Sequence, residues 1–187
     1  FNIPTKASIF SDPETGKRGF NNEGAHLEEE LDKSLKRMGV DCVDLFYVHR
    51  RDHNIEIEEV TESLSNLVKK GKTKSIGYSE IAPSSLKRAS AIHHIAAVQS
   101  EYSLSTRAPE MGLVQVCEEL DTALVAFSPV GRAFLTDSPL SYDFAQTLDF
   151  TKVNPRFKQP NYDKNIIISD NFRKYSRDLG IASATLS

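Results

Sequence analysis

The sequence predicts an α/β fold in which a parallel sheet is covered by helices, and three features carry that expectation. Short runs rich in β-branched and aromatic residues alternate with segments of helical periodicity. The strand-like runs, such as VDLFYV (Val43–Val48) and ALVAF (Ala123–Phe127), are continuous in apolar residues, as strands buried on both faces are. Each intervening segment carries a single apolar stripe, which a helix lays against a sheet.

The chain opens on the strand-like IPTK segment. Leu27, Leu31, Leu35 and Met38 then fall at i, i+4, i+8 and i+11, one stripe of a helix. Glu28, Glu29 and Glu30 precede Lys33, Lys36 and Arg37 on its other faces, acidic early and basic late as a helix dipole prefers, and Gly39 stands where the helix stops. After the Val43–Val48 strand, Val60, Leu64, Leu67 and Val68 mark a helix over Ile57–Lys70, closed by Gly71. A strand at Lys74–Ser79 (KSIGYS) leads to a helix that starts at Pro83, a residue suited to a first turn, and runs through Leu86, Ala89 and Ile92. A strand at Ala96–Gln99, a helix over Glu110–Leu120 with Met111, Leu113, Val114 and Cys117, and the Ala123–Phe127 strand complete the alternation. Leu135–Pro160 is rich in Ser, Asp, Asn and Pro and reads as one long loop of the kind that overhangs a ligand site; helical periodicity returns over Ile168–Leu179. No GxGxxG motif opens a strand-to-helix turn, which argues against a Rossmann dinucleotide fold. The strand spacing suits an open doubly wound sheet and a closed barrel equally.

The bulk properties narrow the function classes. The 187 residues make one domain, and 39% hydrophobic with 26% charged residues is ordinary for a soluble one. A net charge of -3 gives no electrostatic reason for a nucleic-acid or anionic-membrane partner, and no apolar run approaches a membrane span. The first residues lack the basic and apolar regions of a signal peptide. Cys42 and Cys117 stand alone in apolar segments and read as buried thiols, pointing to a reducing, cytoplasmic setting. The His93-His94 pair lacks metal-ligand spacing and reads as a helix C-terminal feature; His26 and His53 read as surface residues, and no metal is expected.

Polar residues gather just past the carboxyl ends of the strands, the rim where parallel α/β folds bind and react. Lys6 follows Ile3–Thr5, His49 follows VDLFYV, Ser79 and Glu80 follow KSIGY, Gln99 ends AAVQ, and Ser128 follows ALVAF. Taken singly, each has a plain alternative. Lys6 can be a solvated strand end, His49 a loop histidine, Ser79 a turn residue before Pro83, and Phe127 core packing. Polar residues at five successive strand ends carry more weight than any one.

Together, IPTK, DCVDLFYVHR, KSIGYSEI, AAVQSEYSL and LVAFSPVGRAFL resemble the aldo-keto reductase superfamily, in the family's order and spacing. The resemblance runs from Phe1 to about Leu135, and YSRDLGIASATLS resembles the family's late helix. The SEI segment at Ser79–Ile81 and the QSEYSL and SPVGR segments are closest to the pyridoxal reductase and perakine reductase branch. The resemblance implies a (β/α)8 TIM barrel, incomplete here, covering about the third to the seventh strand plus a late helix. It also implies NADPH as cofactor and reduction of small aldehydes and ketones by hydride transfer, with pyridoxal-like or aromatic aldehydes as substrates. Lys6 and His49 match the catalytic lysine and histidine. Ser79 and Gln99 match the residues that hold the nicotinamide carboxamide, and Glu80 stands where many relatives have asparagine. Phe127 matches the aromatic that stacks on the nicotinamide. Ser128, Pro129, Gly131 and Arg132 match the loop that carries the pyrophosphate, where glycine permits close approach and arginine supplies charge.

The family's tyrosine acid and its aspartate precede the IPTK strand; Asp12 and Tyr47 stand in other contexts. A barrel wants about 250 residues, so the expectation is a partial aldo-keto reductase domain spanning residues 1–187 and a fragment of a longer protein. A cofactor-binding regulatory subunit, like the β-subunits of potassium channels, and an inactive truncated product are the alternatives. The chain alone is expected to show little or no NADPH-dependent reduction of pyridoxal or 4-nitrobenzaldehyde, which a turnover assay on this polypeptide checks.

Overall fold

The computed structural model describes residues 2–12 and 14–187; Phe1 and Pro13 lie outside the described residues. Its elements are β1 (Pro4–Ala7), β2 (Ile9–Ser11), β3 (Arg18–Phe20), α1 (Gly24–Met38), β4 (Leu45–Val48), α2 (Ile57–Lys69), β5 (Ile76–Ser79), α3 (Pro83–Ile92) and β6 (Ile95–Glu101). A 3₁₀ turn (Ala108–Met111), α4 (Leu113–Glu119) and β7 (Ala123–Phe127) follow, then α5 (Tyr142–Thr147), α6 (Asp149–Lys152), a second 3₁₀ turn (Pro155–Phe157), α7 (Asn161–Asp178) and α8 (Ser183–Leu186). They fall into two compact units, Phe1–Ser100 with Ala108–Phe127, and Glu101–Arg107 with Ser128–Ser187.

In the first unit five strands form one sheet in the order β1-β4-β5-β6-β7. The β1–β4, β4–β5 and β5–β6 pairs are parallel, as the continuous apolar runs predict. Register defines rows of side chains across the sheet. Lys6, Tyr47, Gly77 and Ala97 make one row, and Ala7, Val48, Tyr78 and Val98 make the next, on the opposite face. Val48, Tyr78 and Val98 join Phe46 and Ile76 in a core completed by Leu27, Leu31, Val60, Leu64, Leu86, Ala89, Leu113 and Val116 from the helices. Burial on both faces holds for the inner strands β4 and β5, but β1 and β7 consist only of exposed and half-buried residues. They are the sheet's edges, with a neighbour on one side only.

Several element boundaries depart from the sequence reading for local reasons. Gly39 closes α1 at φ 67°, and its N–H meets the carbonyls of Leu35 and Lys36. Met38, placed on the buried stripe, is exposed. The helix expected over Glu110–Leu120 is split by Gly112, whose φ of 137° no helix accepts, and Met111 is left 89% exposed. An antiparallel hairpin, β2 with β3, was not foreseen. Its turn is held by the Asp12 carboxylate, which accepts from the backbone N–H groups of Glu14 and Thr15.

The second unit has its own small core of Phe134, Ala145, Phe157 and Tyr162. The Phe134 and Phe157 rings stack with centroids 4.7 Å apart, and the buried Tyr162 hydroxyl donates to the Leu140 carbonyl. The stretch expected to be one long loop from Leu135 to Pro160 instead holds α5, α6 and a 3₁₀ turn. Ser141 caps α5 by accepting from Phe144 N, and Asn154 caps the 3₁₀ turn by accepting from Arg156 N. Such capping residues have the same composition as loops, which is why the segment reads as one. α7 starts at Asn161, seven residues before the expected Ile168. Its inward positions are Tyr162, Ser169, Arg173 and Ser176, while Ile167 and Ile168 are exposed, so apolar spacing was a poor guide to its bounds.

Gly77 sits where a Cβ would lie 2.6 Å from the Ala97 carbonyl oxygen and 2.7 Å from the Tyr47 ring. Gly77→Ala is expected to lower unfolding stability by about 1–3 kcal/mol through overpacking against backbone. Chemical denaturation of the variant beside the parent checks this, and an unchanged midpoint would contradict it.

Candidate functional site

The register places four of the sequence-predicted residues on one face of the first unit. Ser79 pairs with Gln99, and the His49 N–H donates to the Ala7 carbonyl at 2.7 Å, so His49 follows Tyr47 by two residues on that ladder. Alternation puts Lys6, His49, Ser79 and Gln99 on the same side, opposite the helix-covered core. The Lys6 ammonium donates to Gln99 Oε1 at 2.6 Å and stands 5.8 Å from the centre of the Tyr47 ring. Gly77 leaves the space that this ring occupies.

Electrostatics at this face lower both basic groups. Partial desolvation, then the Arg50 guanidinium, hold Lys6 below the usual lysine range. Partial burial, followed by the positive charges of Lys6, Arg50 and Arg18, pulls His49 below 6.5, so its imidazole is neutral at pH 7. Tyr47 moves the other way, its phenol pushed up by burial. Ser79 is only 3% exposed and accepts from Arg50 Nη1 at 3.1 Å. Glu80 takes a left-handed φ of 54°, its N–H donating to the Gln99 carbonyl and its carboxylate accepting from Ser100 Oγ at 3.4 Å. Phe127 is the half-buried last residue of β7.

Ser128, Pro129, Gly131 and Arg132 belong to the second unit. They form a tight turn in which Gly131 N–H donates to Ser128 O, with Ser128, Gly131 and Arg132 all at positive φ. A Cβ on Gly131 would come 3.0 Å from Ser105 Oγ, so the close packing asks for glycine. Arg132 donates to Glu101 Oε2 at 2.9 Å, and Arg156 donates to Glu101 Oε1 at 2.6 Å and to Thr106 Oγ1 at 2.9 Å. Burial alone would raise the Glu101 pKa, but the two guanidiniums together outweigh it and hold the carboxyl below its ordinary range. These groups line a shallow cavity of about 550 Å³ with Phe150 and Val153.

Arg50, Arg156, Ser8 and Asn22 were not singled out in the sequence. Ser8 and Asn22, each 1% exposed, grip the backbone of Arg50: Ser8 Oγ accepts from its N–H and donates to its carbonyl, which also accepts from Asn22 Nδ2. Asn22 Oδ1 accepts from Asp52 N at 2.7 Å. The HRRD run after a strand was the available signal for Arg50, whereas Ser8 and Asn22 carried none. His93 caps α3 as expected, with Nδ1 3.1 Å from Ser65 Oγ. His26, expected at the surface, is half-buried with its ring edge-on to Phe10.

A parallel sheet covered by helices, with polar residues at one rim, defines the class as a parallel α/β protein. The Aldo/keto reductase family model matches residues 1–187, and the chain belongs to that family. It is 37% identical over 188 residues to the aldo-keto reductase yakc [NADP(+)] of Schizosaccharomyces pombe, an alignment covering 99% of this chain and 55% of that protein. The glycerol dehydrogenase structure from Gluconobacter oxydans superposes with a TM-score of 0.82 at 23% identity, over 99% of this chain and 57% of that one. An aldo-keto reductase from Bacillus halodurans in its holo form gives 0.67 at 25% identity, over 74% and 46%. The chain thus spans about half the length of these relatives, and its sheet and helices are part of the (β/α)8 barrel of the family.

The lowered His49 pKa has a stability consequence of definite sign. The unfolded chain binds the extra proton more readily, so stability rises as pH climbs from the folded value through 6.5 and falls as pH drops through that window. NMR titration of His49 is expected to give a midpoint below 6.5; a midpoint above it would contradict the electrostatics described.

Proposed function

We propose that this chain is part of an NADPH-dependent oxidoreductase that reduces aldehydes and ketones to alcohols, small aromatic or pyridoxal-like aldehydes among them. The observation that carries this reading is the single row system that puts Lys6, His49, Ser79 and Gln99 on one face. Family membership and the NADP(+) in the name of the S. pombe relative support the cofactor class. The free thiols of Cys42 and Cys117 accord with a cytoplasmic protein.

The residues present fit the cofactor. A hydroxyl and an amide, Ser79 and Gln99, would hold the carboxamide, which needs hydrogen-bonding side chains of this kind. By the family resemblance, Glu80 would add an acceptor and Phe127 would be the aromatic for the nicotinamide in the first unit, while in the second unit Ser128, Pro129, Gly131 and Arg132 would be the residues for the pyrophosphate. Bound NADPH supplies the hydride that reaches the carbonyl carbon. His49, neutral at pH 7, offers an imidazole N–H to the substrate oxygen as negative charge builds there. Lys6 supplies the cation that makes a neighbouring acid a better proton donor. Tyr47 is not that acid: it is 4% exposed and burial raises its pKa.

In the protein that carries this chain, Lys6→Met and His49→Gln are each expected to lower kcat for 4-nitrobenzaldehyde by about a hundredfold or more. NADPH affinity, read by fluorescence quenching, should change far less. Turnover that survives both substitutions would overturn the catalytic roles. Cofactor binding without turnover in the parent would move the reading to a regulatory subunit.

A further inference from the structure

We propose that Arg50 is a positioning residue that fixes the hydrogen-bond polarity of Ser79, so that Ser79, beside a Gln99 oriented by Lys6, donates to and selects an acceptor, an amide carbonyl, in the ligand held there. The inference rests on the reductase reading, in which that ligand group is the nicotinamide carboxamide. It follows from the donor and acceptor inventory of four side chains.

Arginine and lysine side chains only donate. The 3.1 Å contact from Arg50 Nη1 therefore makes Ser79 Oγ the acceptor, and its own proton must point elsewhere. Among the described residues no acceptor receives that proton, and Ser79 is too buried for solvent to serve it freely. The contact from Lys6 Nζ likewise fixes the Gln99 amide, since only Oε1 can face an ammonium. Its Nε2 then projects away from Lys6 with two hydrogens to give. Ser79 and Gln99 are register partners on adjacent strands, so the two donors stand side by side.

Arg50 is built into place from both ends. Its Nη1 is shared between Ser79 Oγ and the His49 carbonyl at 2.7 Å, while its backbone is clamped by Ser8 and Asn22. The planar guanidinium can serve two acceptors from a rigid fork, which a lysine ammonium on a flexible stem does poorly. The same positive charge also depresses Lys6 and His49.

The test uses the protein that carries this chain, with Arg50→Lys and Arg50→Met variants and two probes, NADP+ and its thionicotinamide analogue, whose sulfur is a weak acceptor. Dissociation constants are read by fluorescence or calorimetry, and the His49 midpoint is read by NMR without cofactor. The parent is expected to bind the thio analogue about tenfold more weakly, the value of roughly one hydrogen bond. That gap should shrink to about threefold or less in Arg50→Met, with the His49 midpoint raised. Arg50→Lys keeps the charge but not the fork, so it should leave the midpoint low while the gap still narrows; it decides the matter if Arg50→Met does not fold. A gap unchanged in the Arg50→Lys variant overturns the proposal while leaving the reductase reading standing. Failure of the parent to bind either probe overturns the reductase reading and this inference with it.

Discussion

The register of three parallel ladders is the constraint on which the rest of the site depends. Side chains alternate across a strand, so a slip of one residue between β1 and β4 would send His49 to the helix-covered side and bring Val48 to the rim. Register is held by the core: Phe46, Val48, Ile76, Tyr78 and Val98 are all buried against helices and cannot change sides without exposing large apolar surface. The hydrophobic face thus fixes the polar one. The polar side chains at the rim are placed by packing on the reverse of the same strands.

Charge at the rim is arranged with equal economy. Partial burial first, and then neighbouring positive charge, chiefly that of Arg50 on Lys6 and of Lys6 and Arg50 on His49, depress the basicity of both groups. Arg50, held by its backbone and by its guanidinium contacts, is the fixed point of the set. Lys6 is the one that touches an aromatic face, and Gly77 is what lets the Tyr47 ring lie beneath it. A backbone position with no side chain is therefore part of the electrostatic arrangement.

Much of the first unit was legible because its signals are periodic. The apolar runs gave β4, β5 and β7 within two residues, and Leu27, Leu31 and Leu35 gave the buried face of α1. Strand-end polarity found Lys6, His49, Ser79 and Gln99, since in a parallel sheet the end of a strand is a place in space as well as in sequence. The second unit was illegible for a matching reason. α5 and α6 are too short for a stripe to develop, and the buried side of α7 is largely polar, with Ser169, Arg173 and Ser176 inside. Ser8 and Asn22 escaped notice because each acts through backbone atoms of a distant loop, and a serine and an asparagine in an NN pair look like ordinary turn residues.

The clamp of Ser8 and Asn22 on Arg50 has a mechanical corollary. Asn22 lies two residues ahead of the first residue of α1, and its side chain bridges the backbones of Arg50 and Asp52. The amino end of α1 and the stretch beyond β4 are consequently tied by buried polar side chains. Any tilt of that helix, whatever causes it, would be transmitted as a displacement of the imidazole and guanidinium, much as a crank turns a shaft.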